Sequence, residues 1–335
     1  MLSHTHGPST DSKGGKPDSQ SPHRNSSGVD TRPEEFMTKL PPRLSLAVLL
    51  AVSLLIGWRP LVGTFMLALQ NDAYTHILLI LPISAVLIFQ EWHSLRPMVA
   101  SNVRTGSVML AMAVLVAGFV RGWSSLSSDV RLSLGMLALV ICWIGAFVLC
   151  FGSRVSRSVL FPLCFLFGLV PLPQLVLNEI VHLLQQGSAW SAYVLFTAAG
   201  VPVAQDGVRL AIPGLTVEVA QECSSIRSSS MLLVTTMVLA QLLLRSPWRK
   251  ALVIGVAVPL SVAKNGLRIF TIAMLGTRVD PGFLTGKLHH NGGIVFFAIA
   301  LAAVFGLIWI LRRAEGEGVR TTALHPVSPS DVNIG

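Results

Sequence analysis

An all-α polytopic membrane protein, with about eight transmembrane helices and a small hairpin region outside the bilayer, is the fold the sequence predicts. Three observations predict it. Only 12% of the 335 residues are charged, against roughly a quarter in soluble domains. Mean hydropathy is +0.66, and apolar runs approaching the roughly 20 residues that a bilayer requires recur along most of the chain. The formal charge of +9 does not point to nucleic acid, because such a partner needs its cations gathered on one soluble face. Here they flank the apolar runs, as orientation charges do, and membrane lipid is the surrounding partner.

Residues 1–42 mix Ser, Gly, Pro, Asp and Lys in proportions that cannot bury a core, and read as a disordered cytoplasmic tail. They do not read as a signal peptide, whose short basic region leads at once into an apolar one. The membrane-embedded domain is expected over residues 43–313, followed by a flexible cytoplasmic tail over 314–335. Its expected spans are Leu44 to Leu61, interrupted by Arg59-Pro60, then Tyr74 to Gln90, Gly106 to Val120, Leu132 to Phe151 and Val159 to Leu175. Ile226 to Leu244, Ala251 to Leu267 and Gly292 to Leu311 complete the eight.

Orientation follows from the short loops, because cytoplasmic connections retain an excess of Lys and Arg. An inside N-terminus gathers Arg96 and Arg104, Arg154 and Arg157, Arg245, Arg249 and Lys250, and Arg312 and Arg313 into compact basic turns on the inner face. The other face has Arg121, Arg131, Arg209, Lys264, Arg268, Arg278 and Lys287, scattered and mixed with acids such as Asp129, Glu179, Asp206, Glu218, Glu222 and Asp280. Both termini are therefore expected in the cytoplasm.

Two stretches on the outer side are too polar to span and too long for plain turns, and such segments are where function concentrates. In Pro171 to Glu222, Asn178 to Gln186 reads as an amphipathic surface helix, and Gly207 to Ala220 alternates as a short hairpin around Pro213-Gly214. In Ile269 to Asn291, Ile269 to Leu275 reads either as a continuation of the seventh helix or as a re-entrant piece.

Candidate chemistry lies at three places on that outer face. Cys223, in Gln221-Glu222-Cys223-Ser224-Ser225-Ile226, precedes an apolar run and so falls at a helix entrance, where unpaired N–H groups favour a thiolate and can hold an oxyanion. Arg268 closes Lys264-Asn265-Gly266-Leu267-Arg268 at the outer end of the seventh span. An interfacial arginine commonly snorkels without a task, but Asn265, one turn earlier on the same face, indicates a polar seam. His289 and His290 open the last span, where a neutral imidazole can take a thiol proton. The bland readings are a packing cysteine and an untasked interfacial histidine. Together, cysteine and histidine make an activated nucleophile, and arginine supplies a fixed cation for an oxyanion or a carboxylate. The other cysteines, Cys142, Cys150 and Cys164, lie in apolar runs, and no CxxC pair occurs, so neither a zinc site nor a disulfide framework is indicated. No cofactor is implied.

These motifs resemble the exosortase/archaeosortase family of multi-pass membrane cysteine proteases/transpeptidases. Cys223 to Ser228 is similar to the family's cysteine motif, with Ser225 where glycine is common. Asn265-Gly266-Leu267-Arg268 matches Asn-x-x-Arg, and His289 stands four residues before Gly293 and eight before Phe297, as the family's histidine does. Asp72-Ala73-Tyr74-Thr75-His76 resembles its Tyr-Ser-His segment, and Val170-Pro171-Leu172-Pro173 its Pro-Leu-Pro turn. The resemblance implies Cys223, Arg268 and His289 as catalytic residues. It also implies exported protein substrates bearing a C-terminal signal, often Pro-Glu-Pro followed by a transmembrane helix and a basic cluster, at the cell inner membrane, with exopolysaccharide or envelope assembly as the usual setting.

The rival class is a membrane transporter or polysaccharide-export component, since polar residues in a bundle can line a pathway, but no membrane-centre carboxylates or repeated half-helices announce one. A metalloprotease lacks its motif: there is no His-Glu-x-x-His, and Glu179 and His182 form a single pair without partners. A non-catalytic scaffold is the third alternative. Topology is tested first by reporter fusions, which should place the Pro202 to Glu222 segment outside the cytoplasm. A cytoplasmic location for it would remove the outer-face site.

Overall fold

The computed structural model describes residues 41–91, 103–219, 226–280, 282 and 287–323. The first helix, α1 (Pro42–Gln70), continues through Arg59-Pro60. Proline lacks an N–H and its ring crowds the carbonyl four residues back. The backbone accommodates this by leaving helical geometry at Gly57 (φ −99°, ψ 15°), so the expected interruption is a kink. A 3-10 turn (Asp72–Tyr74), capped by the Asn71 side chain accepting from the Ala73 N–H, leads into α2 (Ile77–Glu91). Then come α3 (Val103–Gly122) and α4 (Ser128–Ser158).

Helix α4 is the axis of the largest core cluster. Met136, Val140, Trp143, Phe147 and Phe151 recur at spacings of three and four and are all buried, the periodicity of one continuous helical stripe. A polar link joins this stripe to α1: Trp143 Nε1–H donates to Ser53 Oγ (2.9 Å), whose hydroxyl donates to the Leu50 carbonyl (2.7 Å). The Trp143 indole N–H is thereby paired inside the bundle.

The expected fifth span, Val159 to Leu175, is not one helix. It folds as α5 (Leu160–Phe165) with a 3-10 turn (Leu166–Leu169), breaks at Pro171-Leu172-Pro173, and restarts as α6 (Gln174–Ala198) at an angle of 100°. A residue before proline is pushed out of helical geometry, and two prolines in three positions end the helix. The expected surface helix, Asn178 to Gln186, is thus the first half of the 25-residue α6. Among the described residues seven helices are long and apolar enough to cross a membrane, or eight if this bent pair is one span.

After α6 the chain forms a three-stranded antiparallel meander, β1 (Ala204–Asp206), β2 (Arg209–Ile212) and β3 (Leu215–Glu218). The hairpin around Pro213-Gly214 is β2–β3, with Ile212 facing Leu215 across a two-residue turn in which Gly214 takes φ +82°, a left-handed conformation that glycine adopts without strain. Then follow α7 (Ile226–Leu243), α8 (Pro247–Arg278) and α9 (Lys287–Ala323). Helix α8 is continuous through Ile269 to Leu275, so that portion extends the seventh helix. Helix α9 continues ten residues past the expected domain end at 313. Its Glu315 accepts from the backbone N–H groups of Arg245 and Ser246 (3.2 and 3.0 Å), tying it to the α7–α8 turn.

The sheet is not free-standing. Leu210, Ile212 and Val219 pack with Ala189, Ala192 and Phe196 of α6 and with Ile269 and Ala273 of α8, and Phe196 meets Phe270 edge-on at 5.0 Å. Phe196 is fully buried, so Phe196→Ala should cost about 3 to 5 kcal/mol, read as a lowered unfolding midpoint in detergent. Phe196→Leu should cost less than half of that loss.

Candidate functional site

The candidate site is built on α8, which lies between α6 and α7. Adjacent residues on a helix point about 100° apart, so two neighbouring polar side chains can reach two different partner helices. Lys264 and Asn265 do this. The Lys264 ammonium, 6% exposed, donates to Ser228 Oγ on α7, and Asn265, 1% exposed, donates from Nδ2 to Ser188 Oγ on α6 (2.9 Å). One turn earlier, Ser261 Oγ–H donates to Ser229 Oγ (2.6 Å), a second bridge between α8 and α7. One turn later comes Arg268, half-buried on the same helix. Between α8 and α6 the backbones close up at Gly266: a Cβ there would lie 2.5 Å from Ser191 Cβ and 3.0 Å from the Ala192 nitrogen.

Three further contacts gather the other motifs at this end of the bundle. Arg227, in the first turn of α7, pairs with Asp72 (Nη1 to Oδ1, 2.9 Å). Both are well exposed, so the pair adds little stability, but it sets the entrance of α7 beside the 3-10 turn. Tyr74, 4% exposed, donates its hydroxyl to the Leu172 carbonyl (2.7 Å), joining the Tyr74–His76 segment to the Pro-Leu-Pro break. Asp129 Oδ2 accepts from the Gln174 N–H (2.9 Å) at the start of α6.

Arg268 is thus placed at the end of a buried polar seam. Cys223 lies outside the described residues. What the structure fixes are the positions that bracket it in sequence: Val219, four residues before, and Ile226, three residues after. Val219 is 1% exposed, and its carbonyl accepts from Gln185 Nε2 (2.9 Å). His289 and His290 lie in the first turn of α9, their side chains outside the described residues. Helix α9 packs on α7 and α8 through Ala300, Val304 and Ile308 against Leu232, Ala240 and Val253. The remaining cysteines, Cys142, Cys150 and Cys164, are free thiols. Among the described residues no group of three His, Cys, Asp or Glu side chains is arranged to hold a metal. Glu179 and His182 do not come together with further ligands, and His182 Nε2 instead meets Gln186 Nε2 (3.0 Å). Gln185, Ser188 and Ser228 are the participants sequence reasoning missed.

The fold and seam define a polytopic helical membrane protein whose polar chemistry is collected at one end, with the Tyr-His, Pro-Leu-Pro, Asn-x-x-Arg and histidine segments on contiguous elements. A family model described as transmembrane exosortase matches residues 68–306, and the chain belongs to that family. Comparison with curated proteins and with solved structures gives no match. Family membership points to membrane-embedded processing of exported proteins that bear sorting signals, and implies a membrane peptidase or transpeptidase.

The seam is testable without an activity assay. Interhelical hydrogen bonds in membranes contribute about 0.6 kcal/mol on average and up to about 1.7. A double-mutant cycle of Ser188→Ala and Asn265→Leu should return a coupling energy in that range from reversible unfolding in detergent. A value of zero would remove the Asn265–Ser188 bond from the seam.

Proposed function

We propose that this exosortase is a cysteine protease/transpeptidase that cleaves C-terminal sorting signals at the outer face of the cell inner membrane, with Cys223, His289 and Arg268 as its catalytic residues. The observation that carries the reading is the Lys264–Ser228 bond. It joins the helix bearing Arg268 to the helix that begins three residues after Cys223, and the Arg227–Asp72 pair adds the Tyr74–His76 segment to the same end.

In the proposed reaction His289 takes the Cys223 proton, and the thiolate attacks the scissile carbonyl. Arg268 stabilises the oxyanion through its planar fork. Collapse forms a thioester to the exported portion and breaks the peptide bond, and the imidazolium returns its proton to the departing amine. An acceptor amine, or water, then attacks the thioester and releases the thiol. The substrates are exported proteins with a Pro-Glu-Pro signal, a transmembrane helix and a basic tail, in the setting of exopolysaccharide or envelope assembly. The membrane domain spans residues 43–313, with both termini in the cytoplasm, and no metal or cofactor takes part.

The test is cleavage of a co-expressed substrate carrying such a C-terminal signal, with variant abundance in the membrane followed by immunoblot. Cys223→Ser should abolish cleavage. His289→Ala should lower it by a factor of roughly 10² to 10⁴, the usual worth of a general acid–base group, whereas His290→Ala should retain most of it, because adjacent positions on α9 point about 100° apart. Arg268→Lys should be severely impaired, since an ammonium keeps the charge but loses the two-nitrogen fork. Full cleavage by His289→Ala at normal abundance would take the base role from His289. Undiminished processing by Cys223→Ser would leave a transporter or export component as the better reading.

A further inference from the structure

A second feature lies away from the seam, between α1, α3 and α4. These helices enclose a cleft of about 1290 Å³, beyond the roughly 300 to 1,000 Å³ of ordinary ligand pockets. Its lining divides by polarity along the helix axes. Arg131, Arg121 and Arg59 line one part of it, spread over about 7 Å of the bundle axis at 1.5 Å per residue, and among the described residues no carboxylate lines the cleft. Toward the other end the walls are mainly apolar and partly small, with Ala113, Ala138 and Leu139 among the lining residues.

Helix contacts give the level of each. A Cβ on Gly135 would lie 3.2 Å from Pro60 Cβ, and one on Gly63 would lie 3.0 Å from Leu132. Arg59 therefore faces Met136 of α4, about one and a half turns below Arg131. A Cβ on Gly145 would meet Met109 and Leu110 at 3.0 and 3.2 Å. With equal rise on the antiparallel α3 and α4, Arg121 comes to the level between Leu132 and Gly135. This is the end of the bundle that carries the Asp129–Gln174 bond, so the cleft opens on the same side as the candidate site.

Each guanidinium is held, but none is neutralised by a described carboxylate. Arg131 Nη2 donates to the Ser124 and Leu126 carbonyls (3.1 and 3.4 Å). Arg59 lies 5.9 Å from the Trp58 ring centroid, and Arg121 occupies the last turn of α3, where the helix dipole favours a cation. Asp129, two residues from Arg131, is engaged by Gln174 instead. All three arginines are exposed, so their N–H donors are open to an anionic group at the membrane interface. From Arg131 to Leu139, and from Ala113 to Arg121, the lining runs about 12 Å at 1.5 Å per residue, with the arginines spread over its outer part, against the roughly 15 Å depth of one leaflet.

We propose that this cleft binds a phosphate-headed anionic lipid, its phosphate held by Arg59, Arg121 and Arg131 and its acyl chain lying along the apolar wall. Guanidinium groups match phosphate oxygens with paired N–H donors, and the apolar wall beside them suits a hydrocarbon chain.

The experiment is native mass spectrometry of the full chain in detergent, titrated with dioleoyl phosphatidylglycerol, with the phosphatidylcholine of the same chains, and with inorganic phosphate as competitor. The wild type should retain one phosphatidylglycerol with at least tenfold preference over phosphatidylcholine. Arg59→Gln/Arg121→Gln should lower that affinity at least tenfold, while Arg104→Gln/Arg154→Gln, equal in lost charge, should not. Arg121→Gln alone, expected to lose several-fold, keeps the test decisive where the double variant fails to fold. Equal retention of the two lipids, unchanged affinity in a folded Arg121→Gln or double variant, or displacement of the lipid by millimolar phosphate would each overturn the proposal.

Discussion

An ammonium group buried among helices must be given a partner, and much of the architecture follows from where this protein finds one. Placing a lysine in the middle of a membrane helix costs about 3 kcal/mol even in the permissive setting of insertion, and removing one member of a buried polar pair leaves the full desolvation penalty with the other. Lys264 answers this with Ser228, which fixes α7 against α8. Its neighbour Asn265 answers the same problem on the other side with Ser188, which fixes α6. Three helices are held in register by two consecutive residues, so Arg268 has a defined position relative to both neighbours.

The sheet and the proline break complete the enclosure of that end. The break at Pro171-Leu172-Pro173 turns the chain by 100° and brings α6 alongside α8. Tyr74 and Asp129 hold the two sides of the break through Leu172 and Gln174. The sheet then covers the stretch of α8 beyond Arg268, where Leu210 and Ile212 bury Ile269 and Ala273. Gln185 secures the last strand's exit at Val219. Rigid support on both sides of a functional segment is how a scaffold limits the freedom of the groups it presents.

The membrane class was legible because composition and run length alone decide it. The pairing of β2 with β3 was legible because Pro213-Gly214 carries its own turn chemistry. Strand β1 was not, since Ala204, Gln205 and Asp206 are all exposed and lack any alternation, and pairing with β2 alone makes them a strand. Pro60 reads as an interruption by local rules, yet contact with the α4 face at Gly135 lets the helix continue past it. Whether Ile269 to Leu275 extended α8 turned on the sheet that covers it, a tertiary fact. At the site, Asn265 and Arg268 showed as a seam through their spacing on one helix, whereas Ser228, Ser188 and Gln185 depend on how helices cross and leave no mark in sequence order.

Gly266 sets a limit on how this site can vary. The neighbouring helix already occupies the space a side chain would need, with Ser191 Cβ 2.5 Å and the Ala192 backbone nitrogen 3.0 Å from a Cβ at position 266. Every missense change at a glycine codon adds at least that carbon, so the position has no conservative neighbour in mutational space. Divergence there requires the two helices to separate first. Separation would stretch the Asn265–Ser188 bond one residue away, so a single codon ties the packing of the bundle to the placement of its polar seam.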